Sequence, residues 1–228
     1  LDEVDIARYE DLYRTNPRRA RIVCDGDWGV AEGLVFENFE VKEFDWVKKL
    51  KDKQVVAHGS DFGFTQDPTT LVSTIVDTQN KELWIYNEHY QRGMLTDEIY
   101  QMYIDKGLKN AEIIADSAEK RLITEIKRKG ISNIKPSVKG QGSIMQGVQF
   151  IQGFKIYVHP SCEHTIEELN TYTFDQDKDG NWLNKPIDEN NHILDALRYS
   201  LEKFHFPRNN KTNVNIKKNI SRAKAMGL

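Results

Sequence analysis

At 228 residues, 39% of them apolar and 29% charged, the chain is long enough to bury a core and fits one globular domain with short tails. No apolar run nears the ~18 residues of a membrane span, no basic-flanked apolar leader opens the chain, and Cys24 and Cys162 lack the spacing and His partners of a zinc site, so they read as thiols in a reducing compartment. The formal net charge of −3 carries no global mark of nucleic-acid binding, yet no acidic residue follows Glu202, whereas Lys203, Arg208, Lys211, Lys217, Lys218, Arg222 and Lys224 do. That composition describes a basic tail, either a disordered terminus or a contact for DNA phosphates or an acidic partner. Leu1 in place of an initiator Met suggests a piece of a longer protein or a processed chain.

In chain order, residues 1–20 are charged and broken by Asn16-Pro17, and Arg21–Cys24 and Gly33–Phe36 read as short strands around Gly-rich turns. Val55–Phe62, Thr70–Val76 and Glu82–Tyr90 follow with short connections, which predicts an antiparallel meander. A helix is expected from Thr96, taken as its N-cap, to Gly107; then strand Ile113–Asp116, helix Glu119–Lys129 closed by Gly130, and strand Ile134–Val138. The Gly-rich patch Lys139–Ser143 precedes an amphipathic helix Ile144–Ile151, a strand Phe154–Val158 and a helix Cys162–Tyr172. Turn chemistry over Asp175–Lys185 predicts a protruding hairpin, and Asn191–Phe204 the last helix. The sum is an α/β protein: a mixed sheet with helices on both faces, plus an accessory β-hairpin, without internal repeats.

Asp61 and Asp116 each end an apolar strand, and Asp195 sits one helical turn after His192, on the same helix face. Catalytic groups of mixed α/β sheets gather where strands end, and an acid beside a core is costly unless something pairs with it. Mg²⁺ and Mn²⁺ answer that need, because they take carboxylate oxygens and keep positions for water or phosphate. Two such ions about 3.5–4 Å apart, bridged by a carboxylate, suit phosphodiester displacement by water. His192 fits a ligand, an orienter of water or a general acid; each acid alone would equally serve as a cap, turn or salt bridge. Whether Asp67, Glu119 or Asp188 adds a fourth carboxylate stays open.

Other signals are weaker. Asp61-Phe62-Gly63 copies a kinase tripeptide without the accompanying kinase motifs. Asp175–Gly180 begins like a calcium loop, but its twelfth position is Pro186 where a Glu is needed, so a polar hairpin tip is the better reading. Lys139–Ser143 has a phosphate-nest composition and fits a flexible loop equally well. Lys120, Arg121, Lys127, Arg128 and Lys129 form either a solvated basic face or part of a duplex path, Trp182 and Tyr172 cover core or stack on bases, and Arg198 is a surface charge, a partner of Asp195 or a phosphate contact.

The runs Asp61-Phe62-Gly63 to Asp67-Pro68, Ile113-Ile114-Ala115-Asp116-Ser117-Ala118-Glu119, Lys139-Gly140-Gln141-Gly142-Ser143-Ile144 and Asn191-His192-Ile193-Leu194-Asp195-Ala196-Leu197-Arg198-Tyr199 resemble the nuclease domain of the tailed-phage terminase large subunit. The likeness covers about residues 20–205 and is most specific in the last run. It implies a ribonuclease H-like fold and an endonuclease that cuts concatemeric double-stranded viral DNA with little sequence preference, using two Mg²⁺ or Mn²⁺ ions held by Asp61, Asp116 and Asp195 with His192 beside them. Lys139, Lys185 and Arg198 become candidate DNA contacts. No Gly-x-x-x-x-Gly-Lys-Ser/Thr loop occurs, so no ATPase activity is expected of this chain.

Residues 1–50 are then expected to be a linker from an N-terminal ATPase domain of the full-length chain, 51–206 the nuclease domain and 207–228 a flexible basic tail placed where the family contacts the portal protein. The further implied partner is the terminase small subunit, and the implied location is the cytoplasm of the infected host, away from membranes. The alternatives are a related ribonuclease H-like resolvase or integrase, and a non-catalytic module that docks on DNA or the portal.

Overall fold

Strands covered on both faces cannot alternate apolar and polar residues, and β3 (Thr69–Asp77) is buried at every position but its last, the mark of a central strand. The structure is a computed structural model that describes residues 33–51, 55–138 and 140–205. Around β3 the described residues form a seven-stranded sheet with strands β1 (Phe39–Val41), β2 (Val55–Asp61), β4 (Glu82–Gln91), β5 (Ile113–Ala115), β6 (Ile134–Pro136) and β7 (Lys155–Val158). Their order is β1-β7-β4-β3-β2-β5-β6. As expected, β2, β3 and β4 are an antiparallel meander, while β5 and β6 on one side and β7 and β1 on the other join in parallel.

Helices cover both faces. Leu71, β5 and β6 pack on α2 (Thr96–Asp105) and α3 (Lys120–Lys129), through Ile99, Met102, Tyr103, Ile123 and Ile126. The short α1 (Trp46–Lys51) lies beside Trp84 and Tyr157 on the same side. Val72, Leu83 and Ile85 face the other layer, built by α4 (Ser143–Gln152), α5 (Glu163–Thr171) and α6 (His192–Ser200). The last of these helices lies on β2 at backbone contact: a Cβ on Gly59 would sit 1.8 Å from the Ala196 carbonyl oxygen. Only glycine admits that approach.

Several boundaries differ from the sequence expectations. Gly33–Phe36 is no strand: Leu34 makes a single bridge to Thr173, while Val35 and Phe36 enter the core. Thr96 is the first residue of α2, not its cap, because the Leu95 N–H donates 2.7 Å to the Glu98 carboxylate and Thr96 Oγ1 turns to Glu125. The last helix is two, α6 and the four-residue α7 (Glu202–His205), split at Leu201. The hairpin is present as β8 (Phe174–Gln176) and β9 (Trp182–Pro186), and Asp177 closes its tip by accepting 2.9 Å bonds from the Asp179 and Asn181 amides. β1 and α1 had no counterpart in the sequence reading. Arg21–Cys24, Lys139 and the basic tail beyond His205 lie outside the described residues.

Candidate active site

β2 and β5 are parallel neighbours, so their C-terminal ends meet at one edge, and the residue each delivers there is an aspartate. Asp61 is the last of β2; Asp116 directly follows β5, its amide donating 3.0 Å to the Ser60 carbonyl. The Asp116 carboxylate accepts from Ala118 N at 3.2 Å, which caps the single 3₁₀ turn Ser117–Glu119 and fixes the side chain. The third acid arrives from above, since Gly59 lets α6 lie flat on β2 and the first turn of that helix carries His192 and Asp195. Thr70 Oγ1 on β3 donates 3.1 Å to the His192 carbonyl, a second tie between helix and sheet.

His192 bridges two acids. Its Nδ1 lies 3.2 Å from Asp61 Oδ2 and its Nε2 3.6 Å from Asp67 Oδ1. Asp195 is clasped by Arg198, whose terminal nitrogen sits 2.8 Å from Oδ1, and by the Tyr199 hydroxyl, which donates 3.3 Å to Oδ2. The Arg198 stem runs in a slot left by Gly147, where a Cβ would come within 2.5 Å of Arg198 Cγ. Arg198 is only 8% exposed, and so is no surface charge but an ion-pair partner inside the site.

The three aspartates, Asp67, His192 and Tyr199 line a polar cavity of about 550 Å³, together with Asp188, Glu189 and Asn190. Burial, then the neighbouring Asp195 and Asp116 charges, push the Asp61 carboxyl above its ordinary range, and the His192 bond only partly opposes them. His192 is pushed up as well, chiefly by its bond to Asp61. In a plain ion pair the carboxyl would fall while the imidazole rose; here burial, helped by the neighbouring acids, outweighs the His192 bond.

Among the described residues, no three His, Cys, Asp or Glu side chains group closely enough to hold an ion as they stand. An open edge is compatible with Mg²⁺ and Mn²⁺, which bind through one or two carboxylates and fill the remaining positions with water and phosphate. Asp61, Asp116 and Asp195 line one cavity as separate oxygen donors, the ligand type these ions take.

Of the open alternatives, Asp67 and Asp188 line the cavity, whereas Glu119 lines a neighbouring one of about 470 Å³ with Phe62, Phe64 and Leu122. A third cavity of about 460 Å³ adjoins the site between Gly140, Gly142, Ser143, Asp188 and Arg198. Lys185 stands apart on β9, its side chain 73% exposed and 3.9 Å from Asp175. Glu189 and Glu168 carry no functional signal in the sequence. Glu189 left no periodic signal because it sits in a loop, and Glu168 looks like any helix-surface acid until the fold buries it.

The model of the terminase RNase H-like domain family matches residues 61–203. The chain is 32% identical over 209 residues to the PBSX phage terminase large subunit of Bacillus subtilis (strain 168), covering 90% of this chain and 48% of that protein. To the terminase large subunit of Bacillus phage SPP1 it is 26% identical over 212 residues, covering 89% of this chain and 49% of the other. The chain thus spans about half the length of the curated relatives it matches. Among solved structures, the large-terminase nuclease domain of bacteriophage SPP1 with bound Mn superimposes with a TM-score of 0.69 at 25% identity, over 75% of this chain and 98% of that one.

Proposed function

The chain belongs to the terminase RNase H-like domain family, and from that premise we propose that it is a divalent-metal-dependent endonuclease that cuts double-stranded concatemeric DNA during viral genome packaging. The observation that carries the reading is the convergence of Asp61, Asp116 and Asp195 from two strand ends and a helix onto one polar cavity. The bound manganese named for the related SPP1 domain supports the same choice of ion.

In this reading Asp61, Asp116 and Asp195 hold two Mg²⁺ or Mn²⁺ ions, which when bound would supply Lewis-acid polarisation of the phosphodiester and neutralise the leaving oxygen. The chain's own residues do the rest. His192, held between Asp61 and Asp67, keeps Asp61 oriented and offers a proton site at the cavity wall. Arg198 orients Asp195 and lines the adjoining cavity with Gly140 and Gly142, where it would meet a backbone phosphate of DNA. Lys185 on the exposed hairpin and Lys139 in the Gly-rich patch would add phosphate contacts. Phosphate contacts carry no base information, so cutting is expected to show little sequence preference.

The greater length of the relatives supports an ATPase domain in the full-length protein, ahead of a nuclease domain that takes in Val35, Phe36 and β1 as well as residues 51–206, with 207–228 as a basic tail for the portal protein. Terminase small subunit and host cytoplasm complete the proposal. No helix among the described residues is long and apolar enough to cross a membrane.

Cleavage of supercoiled plasmid by the purified chain, with Mn²⁺, Mg²⁺ or chelator and without ATP, tests the site. Wild type is expected to cut only with metal, and Asp61→Ala and Asp195→Ala to lose at least about a hundredfold in rate. DNA binding that is metal-independent and indifferent to Asp61→Ala, without cutting, would instead make this a docking module whose acids serve only the His192 and Arg198 ion pairs.

A further inference from the structure

Helix α6 begins without a cap of its own: Asn191, at the N-cap position, makes no side-chain capping bond. The exposed N–H groups of a first turn need partners, and at a buried helix end those partners must come from protein. Here they come from another helix. The Glu168 carboxylate on α5, only 4% exposed, accepts 3.1 Å from the Ile193 amide through one oxygen and 3.0 Å from the Leu194 amide through the other. The two amides it holds lie between His192 and Asp195.

Helix α5 is itself fixed from the sheet. Glu88 on β4 accepts from the amides of His164 and Thr165, both at 2.9 Å, from the Thr165 hydroxyl at 2.6 Å, and meets His164 Nδ1 at 3.0 Å. Two acidic side chains in series thus tie the central sheet to α5 and α5 to the helix that carries half of the site.

We propose that Glu168 is a positioning residue of the site: by capping α6 from α5 it sets the height and rotation at which His192 and Asp195 enter the cavity. It touches neither ion nor DNA. A carboxylate is required there because one group must satisfy two amides at once and meet the positive end of the helix, and burial among apolar neighbours is the cost, which pushes its carboxyl up to about 7 against those two bonds. Glutamine has the same length but only one acceptor oxygen, so it replaces half of the cap; alanine replaces none.

The proposal rests on the metal-dependent nuclease reading, so its test needs readouts besides cleavage. Mn²⁺ binding by calorimetry, amide exchange at Ile193 and Leu194, and plasmid cutting would be followed in wild type, Glu168→Gln and Glu168→Ala, with circular dichroism as the check of fold. The expected order is wild type, then Gln, then Ala, with Mn²⁺ affinity about tenfold lower in the alanine variant, the range for groups that orient ligands. Exchange at both amides rises in the same order. If the alanine variant does not fold, the glutamine variant decides alone. A folded Glu168→Gln with wild-type exchange and wild-type Mn²⁺ affinity overturns the proposal. Should wild type bind Mn²⁺ but never cut DNA, the nuclease reading falls while the graded effect on binding and exchange still upholds the cap.

Discussion

His58 on β2 illustrates how burial sets the chemistry of one residue. It is 8% exposed, bonded to Ser73 Oγ at 2.9 Å, and burial, followed by the charge of Lys203, lowers its pKa to about 4. A base whose folded pKa lies below its unfolded value binds protons better when unfolded, so its contribution to stability is intact above about pH 6.5 and is lost as pH falls toward 4. Denaturant unfolding at pH 7 and 4.5 should show wild type losing about 2 kcal/mol more than His58→Gln between the two. Glu168 works in the opposite sense, since an acid with a raised pKa gains on acidification, which is why the comparison must be between variants at one site. Gly59 gives a second residue-scale test. Gly59→Ala drives its Cβ into the Ala196 carbonyl, and a loss of at least ~2 kcal/mol is expected in the same unfolding measurement, together with weaker Mn²⁺ binding because α6 must lift. Sequence marked Gly59 only as an interruption in an apolar run; what it admits is a helix from the far end of the chain, which no local pattern reveals.

Elements with a strong period were legible: the meander, α3 with Ile123 and Ile126 inward and Lys127–Lys129 at its C-terminal end, and the strands ending in Asp61 and Asp116. Those that escaped are short. β1 has three residues and exists because β7 offers it a parallel edge, and α1 is six residues held by Trp46 on Tyr86 and Lys49 over Trp84. Tertiary contacts, not propensity, decide such pieces. The hairpin was readable from Asp179-Gly180, but the role of Asp177 in gathering the tip amides was hidden behind a calcium-like composition. Asp177→Ala should speed amide exchange at Asp179 and Asn181 without moving the thermal midpoint, and Ca²⁺ added to wild type should change neither.

For the molecule as a whole, the candidate acids were readable as residues and grouped into one site by the family resemblance, whereas local pattern alone could not assemble them, since strand order and the descent of α6 onto β2 depend on contacts far apart in sequence. An ion that binds only the assembled site stabilises the entire fold by mass action. Mn²⁺ at about a hundred times its dissociation constant should therefore add roughly 2.7 kcal/mol and raise the thermal midpoint of wild type, while Asp61→Ala shows no such rise.

The same long-range assembly imposes an order in time. Strand β2 comes first in the chain with its acid, β5 places the second beside it, and the third comes on a helix near the end of the described residues that lies on β2 and β3. A ribosome-bound chain, or one clipped after β7, would hold two neighbouring aspartates with nothing above them. Under the proposed function, the site that would cut DNA is thereby complete only once α6 has been made.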